Sequence, residues 1–314
     1  MDEVQLRNFL MIGRCASITE AADRLGIAQP SLSQQLLRLE DEMGTQLFKR
    51  TSRGVKATDA GRMLQEHADS ILRAMNRARE QVHDAECVPL GQVAIGLPGT
   101  ASLILGVPLL TAARATLSSV KIHVREAMSG TIRNWLEEGR IELGILYDAE
   151  TMTHLSSKVI ARESLLVVGP PDAFGACDEF GIACDPVDHA SLNGRDFILP
   201  SVSHNLRKLI ERRLHIDNVS VAIEIDSLAH TKTLVAEGVG WTLLSHAAIR
   251  NELSRGELSA AHIDGIDLSR SVAFVRNPAQ TLTRASIAVE DLANKLLREM
   301  IADGRWVATS VDED

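Results

Sequence analysis

Residues 16–44 read ASITEAADRLGIAQPSLSQQLLRLEDEMG, and their pattern predicts two short helices joined by a tight turn. Ser17 followed by Glu20 is the signature of a capping box, in which the hydroxyl and the carboxylate each accept a backbone N–H. Gly26 is a natural helix stop, and Pro30 suits a first helical position because its missing N–H would be unpaired there. A short helix, a glycine turn and a second helix are typical of a helix-turn-helix, whose second helix can lie in the major groove of DNA.

The second helix of this pair has one apolar face and one polar face. Leu32, Leu36 and Leu39 recur at helical spacing and are expected to be buried. The opposite face can contact bases, because Gln pairs bidentately with adenine, Arg reads guanine or phosphate, and Ser tolerates several partners. Its candidate DNA-contacting residues are Gln29, Pro30, Ser31, Ser33, Gln34 and Arg38. An ordinary helical hairpin would show the same spacing, so the pattern alone leaves both interpretations open.

The stretch that follows, LFKRTSRGVKATDAG at residues 47–61, is locally basic. Four Lys or Arg residues, and no Asp or Glu, lie within residues 49–56. A turn signal at Ser52–Gly54 predicts a small β wing beside the second helix, where basic side chains can grip phosphates or enter the minor groove. The candidate DNA-contacting residues of the wing are Arg50, Arg53 and Lys56. A solvated basic turn is the alternative interpretation.

The sequence AADRLGIAQPSLSQQLLRLEDEMGTQLFKRTSRGVKATDAG, residues 21–61, closely resembles the N-terminal signature of LysR-type transcriptional regulators. The resemblance is specific over about 85 residues and continues in weaker form through the rest of the chain. It implies an N-terminal all-α winged helix-turn-helix with a long linker helix, followed by a C-terminal α/β two-lobed effector domain like a periplasmic binding protein. It also implies a sequence-specific transcription regulator that responds to a small molecule and forms a tetramer from two dimers.

The stretch after the wing predicts one long amphipathic helix. Apolar residues recur there at three- and four-residue steps, and the length of about 28 residues exceeds that of a usual globular helix. Such a helix points to a coiled-coil partner, and a second copy of the chain would bring two reading heads to a pseudo-palindromic site.

Beyond this helix, short β runs alternate with helices, which predicts an α/β fold with a largely parallel sheet. We expect a turn at PGTAS, 98–102, a helix from Ile104 to Thr116, and a strand at LLVVG, 165–169. The predicted parts are a winged helix-turn-helix domain at 1–58 (helix-turn-helix 18–37), a linker and dimerisation helix at 59–87, an effector domain at 91–302 and a loose tail at 303–314. Within the effector domain, lobe I is predicted at about 91–164 and 269–302, and lobe II at about 165–268.

Four stretches at predicted strand ends face the expected cleft between the lobes, where such folds bind small ligands. Backbone N–H groups at a helix start suit a carboxylate or another anion. Arg207 can fix a carboxylate bidentately, and His204 can donate a hydrogen bond or sense pH. The candidate effector-binding residues are Gly99, Thr100, Ala101, Ser102, Ser129, Gly130, Thr131, Ser201, His204, Arg207 and Ser245. Helix capping explains each single Ser or Thr equally well.

Composition and motifs narrow the function classes. The net charge of −9 argues against binding nucleic acid with the whole surface, so DNA binding would depend on a local basic patch. We find no apolar run long enough for a membrane span and no basic start typical of a secretory signal, so we predict a cytoplasmic protein. No nucleophile-elbow, zinc-protease, P-loop or dinucleotide-binding pattern is present, so we predict no enzyme activity, no cofactor and no metal site.

An alternative is a small-ligand-binding or thiol-redox sensor protein whose N-terminal head serves mainly for oligomerisation. Cys177 and Cys184 share the loop-like stretch GACDEFGIACDPVDH, although a buried Cys is more simply a small apolar residue. The expected partners are double-stranded promoter DNA, an anionic small-molecule effector and further copies of the chain, with RNA polymerase as another candidate. The stretches GLPGTAS, SGTIRNWLEEGRIELGILYD and LPSVSHNLR loosely resemble the nitrogen assimilation control regulators, which suggests nitrogen or organic-acid metabolism.

Overall fold

The computed structural model describes residues 1–51, 54–83, 89–149, 154–214 and 220–311. The chain divides into two compact units, of which the first comprises Met1–Cys87 with Glu138–Arg140 and the second comprises Val88–Glu137 with Ile141–Asp314. Each unit has its own hydrophobic core. No helix within the described ranges is both long enough and apolar enough to cross a membrane.

The first unit contains three short helices, a β hairpin and one long helix. The helices are α1 (Glu3–Arg14), α2 (Ile18–Leu25), α3 (Gln29–Met43) and α4 (Asp59–His83), and the strands are β1 (Phe48–Thr51) and β2 (Gly54–Ala57). Apolar faces of the three short helices bury Phe9, Ala21 and Leu32 in one core. The predicted helix-turn-helix is confirmed, whereas the predicted end of the linker helix at residue 87 lies outside the described residues.

Local side-chain chemistry determines both ends of α2. The Ser17 hydroxyl accepts the backbone N–H of Glu20 at 3.1 Å. The Glu20 carboxylate reaches back as predicted, but it accepts the N–H of Ala16 at 2.9 Å, one residue before the expected donor. Gly26 ends the helix with φ at 68°, a left-handed conformation that glycine adopts without strain.

The wing depends on a glycine at its second strand. Gly54 has φ at +117°, and a Cβ atom there would lie 1.9 Å from the carbonyl oxygen of Ala16. The N–H of the next residue, Val55, donates to that same oxygen at 3.1 Å. Glycine therefore allows the hairpin to pack directly against Ala16, two residues before the start of α2.

The second unit is built from ten strands and several helices among the described residues. The strands are β3 (Gly91–Leu97), β4 (Val120–Glu126), β5 (Leu143–Tyr147), β6 (Ser156–Gly169), β7 (Asp196–Leu199), β8 (Ser220–Glu224), β9 (Thr242–Ser245), β10 (Ser259–Ala261), β11 (Ser269–Arg276) and β12 (Thr309–Ser310). The helices are α5 (Gly99–Ala101), α6 (Val107–Thr116), α7 (Ser129–Glu137), α8 (Asn205–Leu214), α9 (Leu228–Ala236), α10 (His246–Ser254) and α11 (Arg284–Ala302). The described residues also include a π-helical turn at Ser102–Gly106 and a 3-10 turn at His189–Leu192.

The main sheet is mixed rather than largely parallel, so that expectation is wrong. Its order is β10-β6-β11-β5-β3-β4, and β9 and β12 also pair with β6. Strand β3 runs parallel to β4 and β5, whereas β11 is antiparallel to both β5 and β6. The antiparallel pair arises because the chain crosses the unit along β6 and returns along β11 in the opposite direction.

The two crossing strands join two separately packed lobes. Strand β6 pairs with β11 up to Ser164 and with β9 from Leu165 onward. We call lobe I the part that packs around Ile95 and Ile145, and lobe II the part that packs around Phe197 and Ile249. The unit is therefore two α/β lobes with a pair of long strands between them.

The helical run after β3 differs from its predicted start. Helix begins at Gly99, inside the stretch that the sequence predicts as a turn, and passes through the π-helical turn into α6. Pro108 follows that turn and has no N–H to donate to Ile104, so the regular α-helical hydrogen-bond pattern is interrupted there. The predicted strand at 165–169 is the last part of β6, which begins at Ser156.

The segment that follows α11 is packed against the second unit up to residue 311, so the predicted loose tail is wrong for these residues. The Trp306 side chain is only 3% exposed, and its indole N–H donates to Glu163 at 2.8 Å. Thr309 and Ser310 pair with β6. The expectation failed because a short polar segment with a single Trp carries no periodicity, and only the packed structure supplies its partners.

Candidate functional site

The outer face of α3 presents polar side chains to solvent. Ser31, Gln34 and Arg38 are exposed at helical spacings of three and four residues, while Leu32 on the opposite face is buried. Pro30 is exposed as well. Gln29 and Ser33 are half-buried and joined by a 2.8 Å hydrogen bond, so they position each other on the same face.

The wing places two lysines directly opposite each other. Lys49 of β1 and Lys56 of β2 are paired in the hairpin register, and both are exposed. Like charges in this position destabilise a hairpin, and a nearby anion such as a phosphate would relieve the repulsion. Among the described residues neither lysine forms an ion pair with a carboxylate. The Arg50 side chain and the whole of Arg53 lie outside the described residues.

Lys49 was absent from the predicted DNA contacts. The sequence shows it within the basic run, but only the hairpin register places it beside Lys56 on one face. We therefore add Lys49 to the candidate phosphate contacts.

A cavity of about 610 Å³ lies between the lobes of the second unit. It opens at the carboxyl ends of β3 and β4 in lobe I and of β7 and β8 in lobe II, where ligands bind in open α/β folds. Its volume lies within the range of small-molecule sites. The predicted residues that line it are Gly99, Thr100, Ser129, Thr131, His204 and Ser245. Those that do not line it are Ala101, Ser102, Gly130, Ser201 and Arg207.

Hydroxyl groups supply much of the polar lining. Ser245 is 1% exposed, and its Oγ atom has no hydrogen-bond partner among the described residues. A buried hydroxyl without a partner within the protein is unfavourable and is available to a ligand. Thr100 and Ser129 are also buried, at the first turns of α5 and α7.

His204 is oriented as a hydrogen-bond donor to the cavity. Its Nδ1 atom accepts the backbone N–H of Leu206 at 3.1 Å, which leaves the proton of the neutral ring on Nε2. Burial lowers the pKa of His204, the positive charge of Arg270 lowers it further, and Asp226 has the opposite, smaller effect. The ring is therefore neutral near pH 7.

Arg270, which lines the cavity, belongs to a buried ion pair. Arg270 donates from Nε and Nη2 to one oxygen of Glu163, at 2.8 and 2.6 Å, and the two residues are cross-strand partners. They are 5% and 1% exposed, respectively. The guanidinium also lies 3.5 Å from the ring centre of Tyr147, a cation–π contact. Burial, followed by the Glu163 charge, raises the pKa of Tyr147, so its hydroxyl stays neutral.

Two family models cover most of the chain. Residues 88–300 match the LysR substrate binding domain, and residues 4–62 match the bacterial regulatory helix-turn-helix protein of the lysR family. The chain belongs to the LysR family. It is a DNA-binding transcription regulator with an effector-binding domain, and the resemblance predicted from residues 21–61 is confirmed.

Relatives of this LysR-family regulator match it along nearly its whole length. The nitrogen assimilation regulatory protein nac of Escherichia coli K12 is 30% identical over 310 residues, which are 98% of this chain and 99% of that protein. The HTH-type transcriptional regulator BbuR of Bordetella bronchiseptica is 26% identical over 308 residues, 98% of this chain and 93% of that protein.

Solved structures of LysR-type proteins share the fold. CbnR in complex with its target DNA has a TM-score of 0.70 at 17% identity and covers 95% of this chain and 99% of that one. A full-length OxyR variant of Pseudomonas aeruginosa has a TM-score of 0.69 at 19% identity and covers 100% of this chain and 99% of that one. The predicted fold class, a winged helix-turn-helix followed by a two-lobed α/β domain, is confirmed.

The Arg207 side chain of this regulator forms hydrogen bonds within the protein. Its guanidinium donates to Glu211 at 2.6 Å, to Glu224 at 3.3 Å and to the Pro200 carbonyl oxygen at 3.4 Å. Ser201 likewise donates its N–H to Asp226, at 2.9 Å, and thereby holds a carboxylate that lines the cavity. Both residues support the walls of the cavity from outside.

Sequence reasoning missed the cations that do line the cavity. Arg270 and Glu163 are 107 positions apart, and Lys232 pairs with Glu252 at 2.6 Å across 20 positions. No short motif connects such residues. Arg270 and Glu163 come together only through the register of β6 against β11, and the sequence does not specify that register.

The cysteines show neither a disulfide nor a metal cluster within the part of the chain that the structure describes. Cys177 and Cys184 are exposed free thiols, so neither is the buried apolar residue that is the simpler expectation. Cys15, in contrast, lies in the core of the first unit.

Proposed function

We propose that this LysR-family regulator senses a small organic acid carrying one carboxylate and a second polar group, such as a hydroxy or amino acid. The observation that carries this proposal is the cavity lining. Ser245 Oγ is buried without a partner, and the neutral His204 ring presents its Nε2 proton. First turns of three helices, α5, α7 and α9, also line the cavity, and their N–H groups favour an anion.

The charge of the cavity favours a single carboxylate over a polyanion. Both lining cations among the described residues, Lys232 and Arg270, are already paired with carboxylates. The effector would therefore rely on N–H and O–H donors, which suit one negative charge. Glu126 and Asp226 line the same cavity, and their oxygens can accept a hydrogen bond from an ammonium or hydroxyl group.

For DNA recognition we propose that α3 reads base edges while the wing holds phosphates. The exposed Ser31, Gln34 and Arg38 suit the major groove, with Gln29, Pro30 and Ser33 beside them. Lys49 and Lys56, together with Arg50 and Arg53, would contact phosphates.

We further propose that α4 pairs with a second copy of the chain. Met63, Ile71 and Met75 are exposed on this helix, whereas Ala68 and Leu72 face the core of the head. An exposed apolar stripe along a long helix is typical of a coiled-coil seam. Two heads would then meet a pseudo-palindromic site, and two such dimers would form the tetramer expected of the family.

The similarity to the nac protein favours a role in nitrogen or organic-acid metabolism. A regulator that acts on chromosomal promoters works in the cytoplasm, and RNA polymerase is the partner through which it would alter transcription. Effector closure of the cavity would favour one of two arrangements of the oligomer and so change its contacts with DNA.

The effector proposal is tested by thermal unfolding of the full chain against a panel of amino acids, hydroxy acids, dicarboxylates and phosphate esters. We expect the melting temperature to rise with a monocarboxylate that carries a hydroxyl or amino group. Ser245→Ala should weaken that response, while Ser119→Ala, at an exposed serine of the same unit, should leave it unchanged. Stabilisation by phosphate esters alone, or an equal effect of both variants, would contradict the assignment.

A further inference from the structure

A second and larger groove lies on the other side of the crossing strands. Neighbouring residues of a strand point to opposite faces. Arg270 lines the effector cavity, whereas its neighbour Ser269 lines the groove. Likewise, Tyr147 lines the effector cavity and its neighbour Asp148 lines the groove. The strands β6 and β11 are thus a shared wall, with the cavity on one face and a groove of about 1210 Å³ on the other.

Basic side chains from three different elements converge on this groove. They are Arg133 of α7, Arg162 of β6, and Lys208, Arg212 and Arg213 of α8. Within the described ranges, no carboxylate lies within 4.0 Å of Arg133, Lys208, Arg212 or Arg213. The effector cavity differs in this respect, because both of its lining cations are ion-paired. The groove therefore offers guanidinium and ammonium donors that an incoming anion can use.

The acidic residues of the groove are mostly held by other partners. Asp148 accepts the N–H of Ser271 at 3.1 Å, and Asp267 accepts the N–H of Ser269 at 2.8 Å. Hydrogen bonds from the hydroxyl and from the N–H of Ser269 are the main cause of the lowered pKa of Asp267, and the positive charges of Arg213 and Arg162 lower it by less.

Glu211 bonds to Arg207, which lies outside the groove, at 2.6 Å. Three of the four acids that line the groove are thus held by bonds within the protein, and the groove carries negative as well as positive charge. A lining of mixed charge disfavours a continuous nucleic-acid backbone and favours a compact ligand with separate anionic groups.

We propose that this groove is a second anion site, which binds a small metabolite carrying two or more phosphoryl groups. Guanidinium groups match phosphoryl oxygens in geometry and keep their charge at every physiological pH. The site is separate from the effector cavity, and its ligand class differs: a phosphorylated polyanion here, and a monocarboxylate there. Because the two sites share one wall, the regulator would integrate two kinds of small molecule.

The test is calorimetric titration of the full chain with inorganic pyrophosphate at constant ionic strength. We expect saturable binding that the double variant Lys208→Ala/Arg212→Ala weakens about a hundredfold, because each of the two charge-assisted hydrogen bonds contributes about a factor of ten. The matched control is Lys295→Ala/Arg298→Ala, an exposed basic pair on α11, which should leave the affinity unchanged. Both parent side chains in each variant are exposed, so folding should be retained, and circular dichroism checks this.

Three results would overturn the proposal. The first is the absence of saturable binding by the folded wild-type chain. The second is an equal loss of affinity in the groove variant and the α11 control, which would reveal an effect of net charge alone. The third is a loss of affinity in a variant outside the groove while the groove variant binds normally. Such a loss in Ser129→Ala/Ser245→Ala would place the anion in the effector cavity, and in Lys49→Ala/Lys56→Ala it would place the anion on the wing. Since the probe binds directly, failure here leaves the effector proposal unaffected.

Discussion

Glu163→Ala is expected to lower the free energy of unfolding of the second unit by about 4–6 kcal/mol. The substitution leaves the buried Arg270 without its counter-ion, and breaking a buried pair in this way costs about 3–5 kcal/mol. It also removes the acceptor of the Trp306 indole N–H, which adds about 1 kcal/mol. The loss would be a large part of the total stability of a typical domain, about 5–15 kcal/mol.

The double variant Glu163→Met/Arg270→Met distinguishes a buried unpaired charge from lost packing. It removes both charges and fills a similar volume, so we expect it to cost several kcal/mol less than the single substitution, as apolar replacements of buried pairs usually do. Trp306→Phe should cost about 2–3 kcal/mol, less than Glu163→Ala, since it removes one hydrogen bond and some buried volume but leaves the ion pair intact.

Urea unfolding followed by tryptophan fluorescence measures these differences. All three tryptophans of the chain lie in the second unit, so their emission reports on that unit and not on the head. A single variant that loses less than about 1 kcal/mol, or a double variant as unstable as the single one, would refute the role given to the pair.

Three further outcomes follow from the structure. Gly54→Ala should displace the wing, because the new Cβ atom would meet the Ala16 carbonyl oxygen; DNA affinity should fall while the tryptophan-monitored transition stays the same. Lys56→Ala should reduce the slope of log affinity against log salt by about one, as measured by fluorescence anisotropy. Burial is the main cause of the lowered pKa values of His204 and His246, so below about 6.5 the unfolded chain binds more protons. Stability of the second unit should therefore decrease as the pH falls through that range, and a flat profile in urea titrations would contradict this.

The fold of the first unit could be predicted from the sequence because the signals that determine it are local. Ser17, Glu20 and Gly26 lie within one short stretch, and each acts on the backbone within a few positions of itself. The pairing of Lys49 with Lys56 was not visible, because it depends on where the hairpin register starts.

The cavity could be predicted only in part. Thr100, Ser129 and Ser245 stand at strand ends and helix starts, which the sequence pattern reveals. Arg270 and Trp306 were missed because their partner, Glu163, is distant in sequence and the contacts form only when β6, β11 and the segment after α11 come together. The mixed direction of the sheet was missed for the same reason, since strand order is a property of the whole unit.

The most direct test of DNA recognition by α3 is footprinting on the DNA just upstream of the coding region of the chain, at a stated salt concentration. We expect a protected site of several helical turns with imperfect two-fold symmetry. Ser31→Ala/Gln34→Ala should lose the preference for this site over scrambled DNA, whereas Lys56→Ala should weaken binding to both DNAs equally. Equal affinity of the wild type and the α3 variant for both DNAs would show that α3 does not read the sequence of this site.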